Sequence, residues 1–322
     1  MGPESTEISG SPDETASQAL RLNKALSQAG ICSRRRADEL VLAGKVAING
    51  VVIYEPGLKI DPNRDIVVVD GKKVEFLPRK THLYLLFHKP VQTVTTAFDP
   101  QGRPTVFDLL PSGLRRPGLF TVGRLDYFSE GLLLFTDDGD LVHRLTHPST
   151  HVPKIYRVTV RGEVAGDKLA AMRGGMRLAE GEKLAPVEVS VLATDRDHLP
   201  GSRTVLEMRL IQGVNRQIRR MCRDLGLTVL RLVRTRQGPV SLGDLPRGEV
   251  RPLTAAEVAA LRAAAGLAGT GAKPARKSGT DALPARCEPK SGQAVSTRKA
   301  GSSDKTYTKR YEKKKTGRHW NV

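Results

Sequence analysis

From residue 21 onward, apolar residues recur at helical spacing and predict a small unit of two helices and a hairpin. The first helix has its apolar stripe at Leu22, Ala25, Leu26 and Ala29, and Gly30 ends it. Ser33 suits an N-cap and precedes a second helix, Arg34 to Ala43. The run from Val46 to Ile53 places β-branched residues on both sides of Asn49-Gly50, which favours a two-residue hairpin turn. We expect this unit to end near Phe76.

A larger set of apolar segments follows Pro78, and strands outnumber helices in it. The predicted strands are Leu83–His88, Leu132–Phe135, Ile155–Arg161, Val187–Ala193, Thr204–Ile211 and Thr228–Val233. The predicted helices are Asp140–Leu145, Gly166–Met172, Asn215–Leu225 and a last one that opens with the capping box of Thr254 and Glu257 and runs to about Ala265. Several strands follow one another without a helical crossover, which is typical of an α+β domain with a largely antiparallel sheet.

These elements divide the chain into four parts. Residues 1–19 are polar and have little to bury, so we expect them to be disordered. Residues 20–78 form the small unit, and residues 79–265 form the α+β domain. Residues 266–322 are rich in Ala, Gly, Ser and Lys and end in a basic run, which predicts a disordered tail with nonspecific attraction for phosphate.

The charge of the chain indicates a polyanionic partner. The formal net charge is +18 and the isoelectric point is near 10.1. Residues 269–322 contribute +10 of this charge, residues 1–20 contribute −4, and residues 21–268 carry +12. Nucleic acid is the commonest partner of such a protein. A basic membrane-surface protein is the rival interpretation, but the sequence shows no helix with a bulky apolar face opposite a Lys-rich face.

The cysteines and the N-terminus indicate a reducing compartment. Cys32, Cys222 and Cys287 are odd in number and far apart, which argues against a disulfide framework and against a cysteine-based zinc site. The N-terminus lacks the basic and apolar regions of a signal peptide, and no apolar run approaches the length of a membrane span. We therefore expect a cytoplasmic protein with no membrane partner.

The start of the second helix carries three consecutive arginines that suit phosphate binding. Arg34, Arg35 and Arg36 lie in its first turn, where free amides and guanidinium groups can converge on one anion. A solvated charged face is the alternative interpretation. Together with the hairpin, the segment from Arg21 to Glu75 resembles the alpha-L RNA-binding domain found in ribosomal small-subunit protein four and in many RNA-modifying enzymes.

Three segments of the larger domain carry side chains that suit chemistry on RNA, although each also has a structural interpretation. Asp126 follows Arg124 in a loop before an apolar strand, and by itself it would be a turn cap. Tyr156 lies in an alternating strand, where a core tyrosine is the simpler interpretation. One short helix carries four arginines close together, which suits contact with RNA or a solvated charged face. These arginines are Arg216, Arg219, Arg220 and Arg223.

In this order the segments resemble the RsuA branch of the pseudouridine synthases, over about Arg21 to Leu261. The matching motifs are Gly-Arg-Leu-Asp followed by Gly-Leu-Leu-Leu-Phe-Thr, then Asp-Gly-Asp-Leu, His-Pro-Ser, Lys-x-Tyr-Arg-Val and Gln-Ile-Arg-Arg-Met. The loop departs from the family at Tyr127-Phe128-Ser129-Glu130, where many relatives have a small polar run with Thr. Because Ser129 retains a hydroxyl there, we expect an altered rim with intact chemistry.

The resemblance implies an enzyme that breaks the glycosidic bond of a flipped-out uridine, turns the base and rejoins it through carbon. This change is redox-neutral, so the resemblance implies no cofactor and no metal. It assigns Asp126 as nucleophile or base, and Arg219 as the cation that keeps this carboxylate ionised and oriented. Tyr156 would stack on the uracil, Ile218 would form an apolar wall opposite, and Arg124 would enter the vacated space or hold the adjacent phosphate.

The leading hypothesis is a synthase that acts on ribosomal RNA or a pre-ribosomal particle, as a monomer. The RNA-binding unit, the Glu-Gly-Leu-Leu-Leu-Phe-Thr loop and the basic tail resemble those of the large-subunit members of the branch, which implies 23S RNA as the substrate. A small-subunit synthase, a transfer-RNA or dual-specificity synthase, and a catalytically silent ribosome-assembly factor are the alternatives. Arg216 and Arg220 would contact RNA. Lys89-Pro90 and Thr95-Thr96 match a further family segment, which we expect to be structural or to line the cleft, with no chemical role.

Overall fold

The structure is a computed structural model that describes residues 19–76, 81–197 and 201–267. The two predicted disordered segments, 1–19 and 266–322, lie outside the described residues except at their inner ends. Among the described residues, no helix combines the length and the apolar character that a bilayer span requires.

The first described part contains two helices, a four-stranded antiparallel sheet in the order β3-β2-β5-β6, and a separate antiparallel pair of β1 and β4. Its elements are β1 (Leu20–Arg21), α1 (Leu22–Gln28), α2 (Arg34–Leu42), β2 (Val46–Ile48), β3 (Val51–Ile53), β4 (Lys59–Ile60), β5 (Val67–Val69) and β6 (Lys72–Lys73). The Ser33 hydroxyl accepts the Arg36 amide at 3.2 Å, which confirms the predicted cap. Asn49 and Gly50 have φ of 51° and 84°, so both turn residues are left-handed, as a two-residue hairpin between β2 and β3 requires.

The second described part is a nine-stranded sheet with helices packed against it. Its elements are β7 (Tyr84–Lys89), β8 (Phe120–Thr121), β9 (Glu130–Thr136), α3 (Gly139–Thr146), β10 (Lys154–Arg161), α4 (Gly166–Gly174), β11 (Glu188–Asp195), β12 (Arg203–Leu210), α5 (Gln217–Asp224), β13 (Thr228–Gln237), β14 (Val240–Ser241), β15 (Val250–Pro252) and α6 (Ala255–Ala264). The main path of the sheet runs β11-β12-β10-β13-β9-β7-β15.

The sheet confirms the predicted α+β class, because its neighbouring strands are antiparallel except for β9 and β13. Each predicted strand and helix of this part occurs, with ends displaced by a few residues. The short strands β8, β14 and β15 were not predicted, since two or three residues are too few to show a periodic pattern. Strand β13 also extends to Gln237, beyond the predicted end at Val233.

Two apolar clusters of this domain meet at one aromatic side chain. Tyr156 of β10 packs against the cluster that contains Ile218 and Met221, and also against the cluster that contains Leu125 and Leu133. The first cluster brings α5 to the sheet, and the second brings the loop before β9. Tyr156 therefore lies where this helix and this loop approach each other.

The parallel contact between β9 and β13 depends on a glycine. Gly131 lies opposite Arg234, with φ of 109°. A Cβ on Gly131 would lie 2.3 Å from the carbonyl oxygen of Arg234 and 2.7 Å from its amide nitrogen. Both are backbone atoms, so no side-chain rotation relieves the overlap. Because Gly131 comes directly after the loop that carries Asp126, this close approach also determines where that loop ends.

Gly131→Ala should therefore lower the free energy of unfolding by more than about 3 kcal/mol, from backbone strain and the overlap with β13 together. Urea titration followed by circular dichroism measures the change. Gly226→Ala is the matched control, because Gly226 also has a positive φ, 69°, but has no atom within 4 Å of an added Cβ. Equal losses for the two variants would show that the contact with β13 is unimportant.

Candidate active site

An open cleft of about 290 Å³ lies between the loop before β9, strand β10 and the start of α5. Its volume is near the lower end of the range for small-molecule sites, roughly 300 Å³. The polar and charged side chains that line it are Arg124, Asp126, Ser129, Thr146, Lys154, Gln212, Asn215, Arg216, Gln217, Arg219 and Arg234. Tyr156 and Ile218 are among its apolar lining. One carboxylate thus faces a set of cations.

Asp126 lies in the loop between Val122 and Ser129, half-buried at the cleft. The loop starts where the Val122 amide donates to Leu134 O at 2.8 Å, and it turns where the Ser129 amide donates to Asp126 O at 3.0 Å. Within the described part of the chain, the Asp126 carboxylate forms no ion pair and caps no helix. The turn-cap interpretation of this residue therefore has no support, and the carboxylate is available to a ligand.

The loop is held by its backbone. Five consecutive carbonyl oxygens, those of residues 125–129, each accept a hydrogen bond from outside the loop. The donors are the Thr95 hydroxyl to Leu125 O at 2.8 Å, Lys89 Nζ to Asp126 O at 3.0 Å and to Ser129 O at 2.8 Å, the Gln92 amide to Tyr127 O at 2.7 Å, and Arg219 Nη2 to Phe128 O at 2.7 Å. These bonds fix the direction in which the Asp126 side chain leaves the backbone.

Lys89, at the end of β7, is the central donor. Its side chain is fully buried, and its ammonium group also donates to Pro90 O at 3.0 Å, so three N–H groups meet three carbonyls. Burial lowers the pKa of Lys89 from its ordinary 10.5 to about 8; the charge of Asp126 opposes this shift and that of Arg234 adds to it. The segment without an assigned chemical role thus contains the residue that anchors the loop.

Arg219 reaches the loop from α5, but by a different contact from the one expected. Its guanidinium donates to the Phe128 carbonyl and lies 3.5 Å from the Ser129 hydroxyl, with no direct ion pair to Asp126. Burial lowers the pKa of Arg219, while the charge of Asp126 acts in the opposite direction. The expectation that Arg219 orients the carboxylate by pairing with it is therefore corrected. Arg219 orients the loop backbone, and its charge acts on Asp126 through space.

The cleft also brings together residues that the sequence singled out and residues that it did not. Arg124, Tyr156, Ile218 and Arg216 all line it, as does Arg219. Lys154 and Arg234 line it as well, although neither was a candidate. Arg234 is 1% exposed and donates from Nε to Leu132 O at 2.7 Å. Burial and the neighbouring Arg234 lower the pKa of Lys154. Lys154 is the first residue of the Lys-x-Tyr-Arg-Val motif but has no predicted role, and Arg234 lies just beyond the predicted end of β13 at Val233.

The other predicted RNA contacts lie elsewhere. Arg220 is not part of the cleft lining, and its guanidinium forms ion pairs with Glu180 at 3.1 Å and Glu182 at 2.7 Å. Its charge is thus paired within the protein, and its contact with RNA stays a prediction. Arg34, Arg35 and Arg36 are exposed on α2 of the first part, and Arg36 forms an ion pair with Glu39 at 2.9 Å.

A second buried acid supports the loop at its far end. Glu130 is 3% exposed and forms ion pairs with Arg231 and, at 2.9 Å, with Arg247. As the first residue of β9, Glu130 thus connects this strand to β13 through Arg231 and to the segment before β15 through Arg247. Glu130 is the first residue of the Glu-Gly-Leu-Leu-Leu-Phe-Thr segment, but no role in the site was predicted for it. In the part of the chain that the structure describes, no group of three His, Cys, Asp or Glu side chains is arranged to hold a metal ion.

The cleft combines one unpaired carboxylate, the ring of Tyr156 and several cations. The same chain also carries a small unit with exposed arginines on a helix. Comparison with known families agrees with this description. Residues 83–224 match the model described as RNA pseudouridylate synthase, and residues 20–66 match the S4 domain model.

The relatives extend the match to most of the chain. A Mycobacterium tuberculosis protein described as an uncharacterized RNA pseudouridine synthase is 41% identical over 258 residues, which is 80% of this chain and 98% of the relative. Ribosomal large subunit pseudouridine synthase B of Bacillus subtilis is 37% identical over 245 residues, 76% of this chain and 96% of the relative. A crystal structure of a pseudouridylate synthase, 29% identical, superposes with a TM-score of 0.54 over 75% of this chain and 99% of that one.

The chain belongs to the RNA pseudouridine synthase family and is an isomerase that acts on RNA. The resemblance to the RsuA branch with an N-terminal RNA-binding unit is thereby confirmed.

Lys89→Met should lower both stability and turnover. It removes the donor to the Pro90 and Ser129 carbonyls, and each buried carbonyl left without a partner costs about 1–3 kcal/mol. Urea unfolding and pseudouridine formation on RNA measure the two effects. Lys183→Met, at an exposed position of the same domain, should change neither. A folded Lys89→Met protein with unchanged turnover would contradict a role in holding the loop.

The lowered pKa of Lys89 gives opposite pH trends for stability and for activity. Between about pH 8 and 10.5 the folded protein has lost this proton and the unfolded chain retains it, so this site makes the free energy of unfolding rise with pH. Turnover should fall in the same window, because a neutral amine has two N–H groups for three carbonyls. Urea titrations and kcat measured across the window test both trends. The stability rise should be absent in Lys89→Met, and a constant kcat would contradict the proposed dependence.

Proposed function

We propose that the protein converts a uridine of large-subunit ribosomal RNA to pseudouridine, with Asp126 as the reacting carboxylate. The observation that carries the proposal is the position of Asp126, unpaired at the cleft, in a loop whose carbonyls at residues 125–129 are held by donors from outside the loop. Large-subunit RNA is proposed because relatives from Bacillus subtilis and Pseudomonas aeruginosa, each 37% identical, are named ribosomal large subunit pseudouridine synthase B.

The reaction that this cleft must support is an isomerisation. The bond between C1′ of the ribose and N1 of the uracil breaks, a bond between C1′ and C5 forms, and the proton on C5 is lost as N1 gains one. No electrons are exchanged with another molecule. Asp126 serves either as the nucleophile or as the base that starts this sequence, and it must be ionised for both roles. The positive charges of Lys89 and Arg219 lie near this carboxylate.

The detached uracil must be held while it turns, and the cleft offers two apolar surfaces for this. Tyr156 presents its ring from β10, and Ile218, which is 4% exposed, presents a side chain from α5. We assign Tyr156 to stacking on the base and Ile218 to the opposite wall. A uridine within an RNA helix must first leave its stack, at a cost of a few kcal/mol. Arg124 and Arg216 at the cleft are assigned to the adjacent phosphates.

Residues 20–78 are proposed to be the RNA-docking domain and residues 79–265 the catalytic domain. Arg34 and Arg35 are exposed on α2. An ion pair between Lys24 of α1 and Asp140 of α3, at 2.9 Å, connects the two parts. Since this pair is exposed it contributes little to stability, about 0–1 kcal/mol. We assign binding affinity for RNA to the docking domain and the isomerisation to the cleft of the catalytic domain.

Asp126→Asn should abolish pseudouridine formation and leave RNA binding within about twofold of the original protein, because the amide preserves the shape and removes the anion. Chemical mapping of pseudouridine in both ribosomal RNAs, in cells with and without the protein, identifies the target. Binding is measured by filter retention of the same RNA. Asp140→Asn, at an exposed acid outside the cleft, is the control and should remain active.

The outcomes of this mapping separate the alternatives. If the pseudouridine that disappears without the protein lies in large-subunit RNA, the proposal is supported. If it lies in small-subunit RNA or in transfer RNA, that RNA is the substrate instead. Binding to ribosomal RNA without any missing pseudouridine would favour a silent assembly factor. Full activity of Asp126→Asn would overturn the assignment of the reacting group while leaving the family intact.

A further inference from the structure

Two aromatic residues follow Asp126 directly, and one of them is turned toward solvent. Phe128 is 59% exposed, although it lies in the loop that lines the cleft. Its ring meets the half-buried ring of Tyr127 edge to face, with centroids 4.9 Å apart and planes at 84°. Most of the Phe128 surface is thus accessible to a ligand, in the same loop as Arg124 and Asp126 of the cleft.

The two rings are attached to a rigid backbone. Tyr127 O accepts from the Gln92 amide at 2.7 Å, and Phe128 O accepts from Arg219 at 2.7 Å. A cation also lies over Tyr127, since the guanidinium carbon of Arg103 is 5.9 Å from the ring centroid. Arg103 is itself held by Asp99 through contacts of 2.7 and 3.0 Å. The position of the Phe128 ring is therefore defined before any ligand arrives.

The charges around the two rings of Tyr127 and Phe128 indicate the kind of ligand. Arg124 and Arg216 line the adjacent cleft, so a bound molecule meets one aromatic face and two cations at once. An apolar protein segment would satisfy the ring but not the cations. An unpaired nucleotide satisfies both, because its base stacks on a ring while its phosphate binds guanidinium groups.

We propose that Phe128, supported by Tyr127, is a stacking platform for an unpaired base that neighbours the uridine in the cleft. The inference rests on the proposed function for that uridine, and it adds a determinant of substrate choice. Every base has a π-face, so the platform accepts any base, and a purine gains more than a pyrimidine from its larger ring system. An enzyme with this platform prefers target sites in which the neighbouring base is free to leave its own stack.

The test compares binding of two fluorescein-labelled probes by the full chain, measured as Kd by fluorescence anisotropy. One probe is oligoadenylate of about ten nucleotides, which offers bases but no uridine for the cleft, and the other is an abasic ribose-phosphate chain of the same length. Phe128→Leu keeps an apolar side chain and removes the ring. Phe128→Tyr keeps the ring. Phe120→Leu is the matched control, because Phe120 is 38% exposed and pairs with Thr136 at the opposite end of β9.

Phe128→Leu should weaken binding of oligoadenylate by about 5- to 150-fold, the range for one lost base stack, and leave the abasic chain unaffected. Phe128→Tyr and Phe120→Leu should bind both probes as the original protein does. An equal loss for both probes, or no loss for either, overturns the platform. Melting temperatures of the variants confirm that each is folded.

Product formation on ribosomal RNA then tests the position of the platform. Phe128→Leu should lower kcat/KM by a similar factor, chiefly through KM, and wild-type kcat/KM would overturn its placement beside the uridine. Absence of product with the original protein is a failure of the proposed function. In that case the comparison of oligoadenylate with the abasic chain still decides whether Phe128 stacks on a base.

Discussion

The anchoring of residues 125–129 by their carbonyls is the constraint on which the site depends. A loop with this many bound carbonyls cannot change its backbone direction without leaving several polar groups buried and unpaired. Four separate parts of the domain supply the donors: the end of β7, Gln92, Thr95 and α5. Their relative positions are set by the sheet and by the two apolar clusters that meet at Tyr156. The reacting carboxylate is thereby positioned by groups that never touch it.

The electrostatics of the cleft follow from this arrangement. Lys89 and Arg219 donate their N–H groups to carbonyls of the loop backbone. Asp126 therefore has positive charge nearby but no direct ion-pair partner. A close ion pair would stabilise the carboxylate but would also have to break before it could react. Arg234 and Lys154 add buried charge from the sheet, which suits a cleft that must receive an anionic nucleotide. Burial opposes this charge and lowers the pKa values of Lys89 and Lys154.

Much of this site follows from short segments of sequence. Asp126, Tyr156 and Arg219 were selected because their motifs occur in the order of one family, and all three line one cleft. Two arginines of α5 form contacts other than the ones expected for them. Arg220 resembles its neighbours on α5, but it faces Glu180 and Glu182, and Arg219 binds a backbone carbonyl where a carboxylate was expected. Which side chain a cation meets depends on the rotation of the helix and on loops distant in sequence.

The sequence by itself determined the α+β class, most element positions, the hairpin at Asn49-Gly50 and the identity of the candidate carboxylate. These features depend on local periodicity, turn preference or motif order, which neighbouring residues contain. Only the tertiary structure decided the roles of Lys89, Arg234 and Gly131. Each acts through atoms far away along the chain: Lys89 on carbonyls of the loop, Arg234 across from β9, and Gly131 against the backbone of β13. Such contacts arise from strand pairing and burial, which no local pattern encodes.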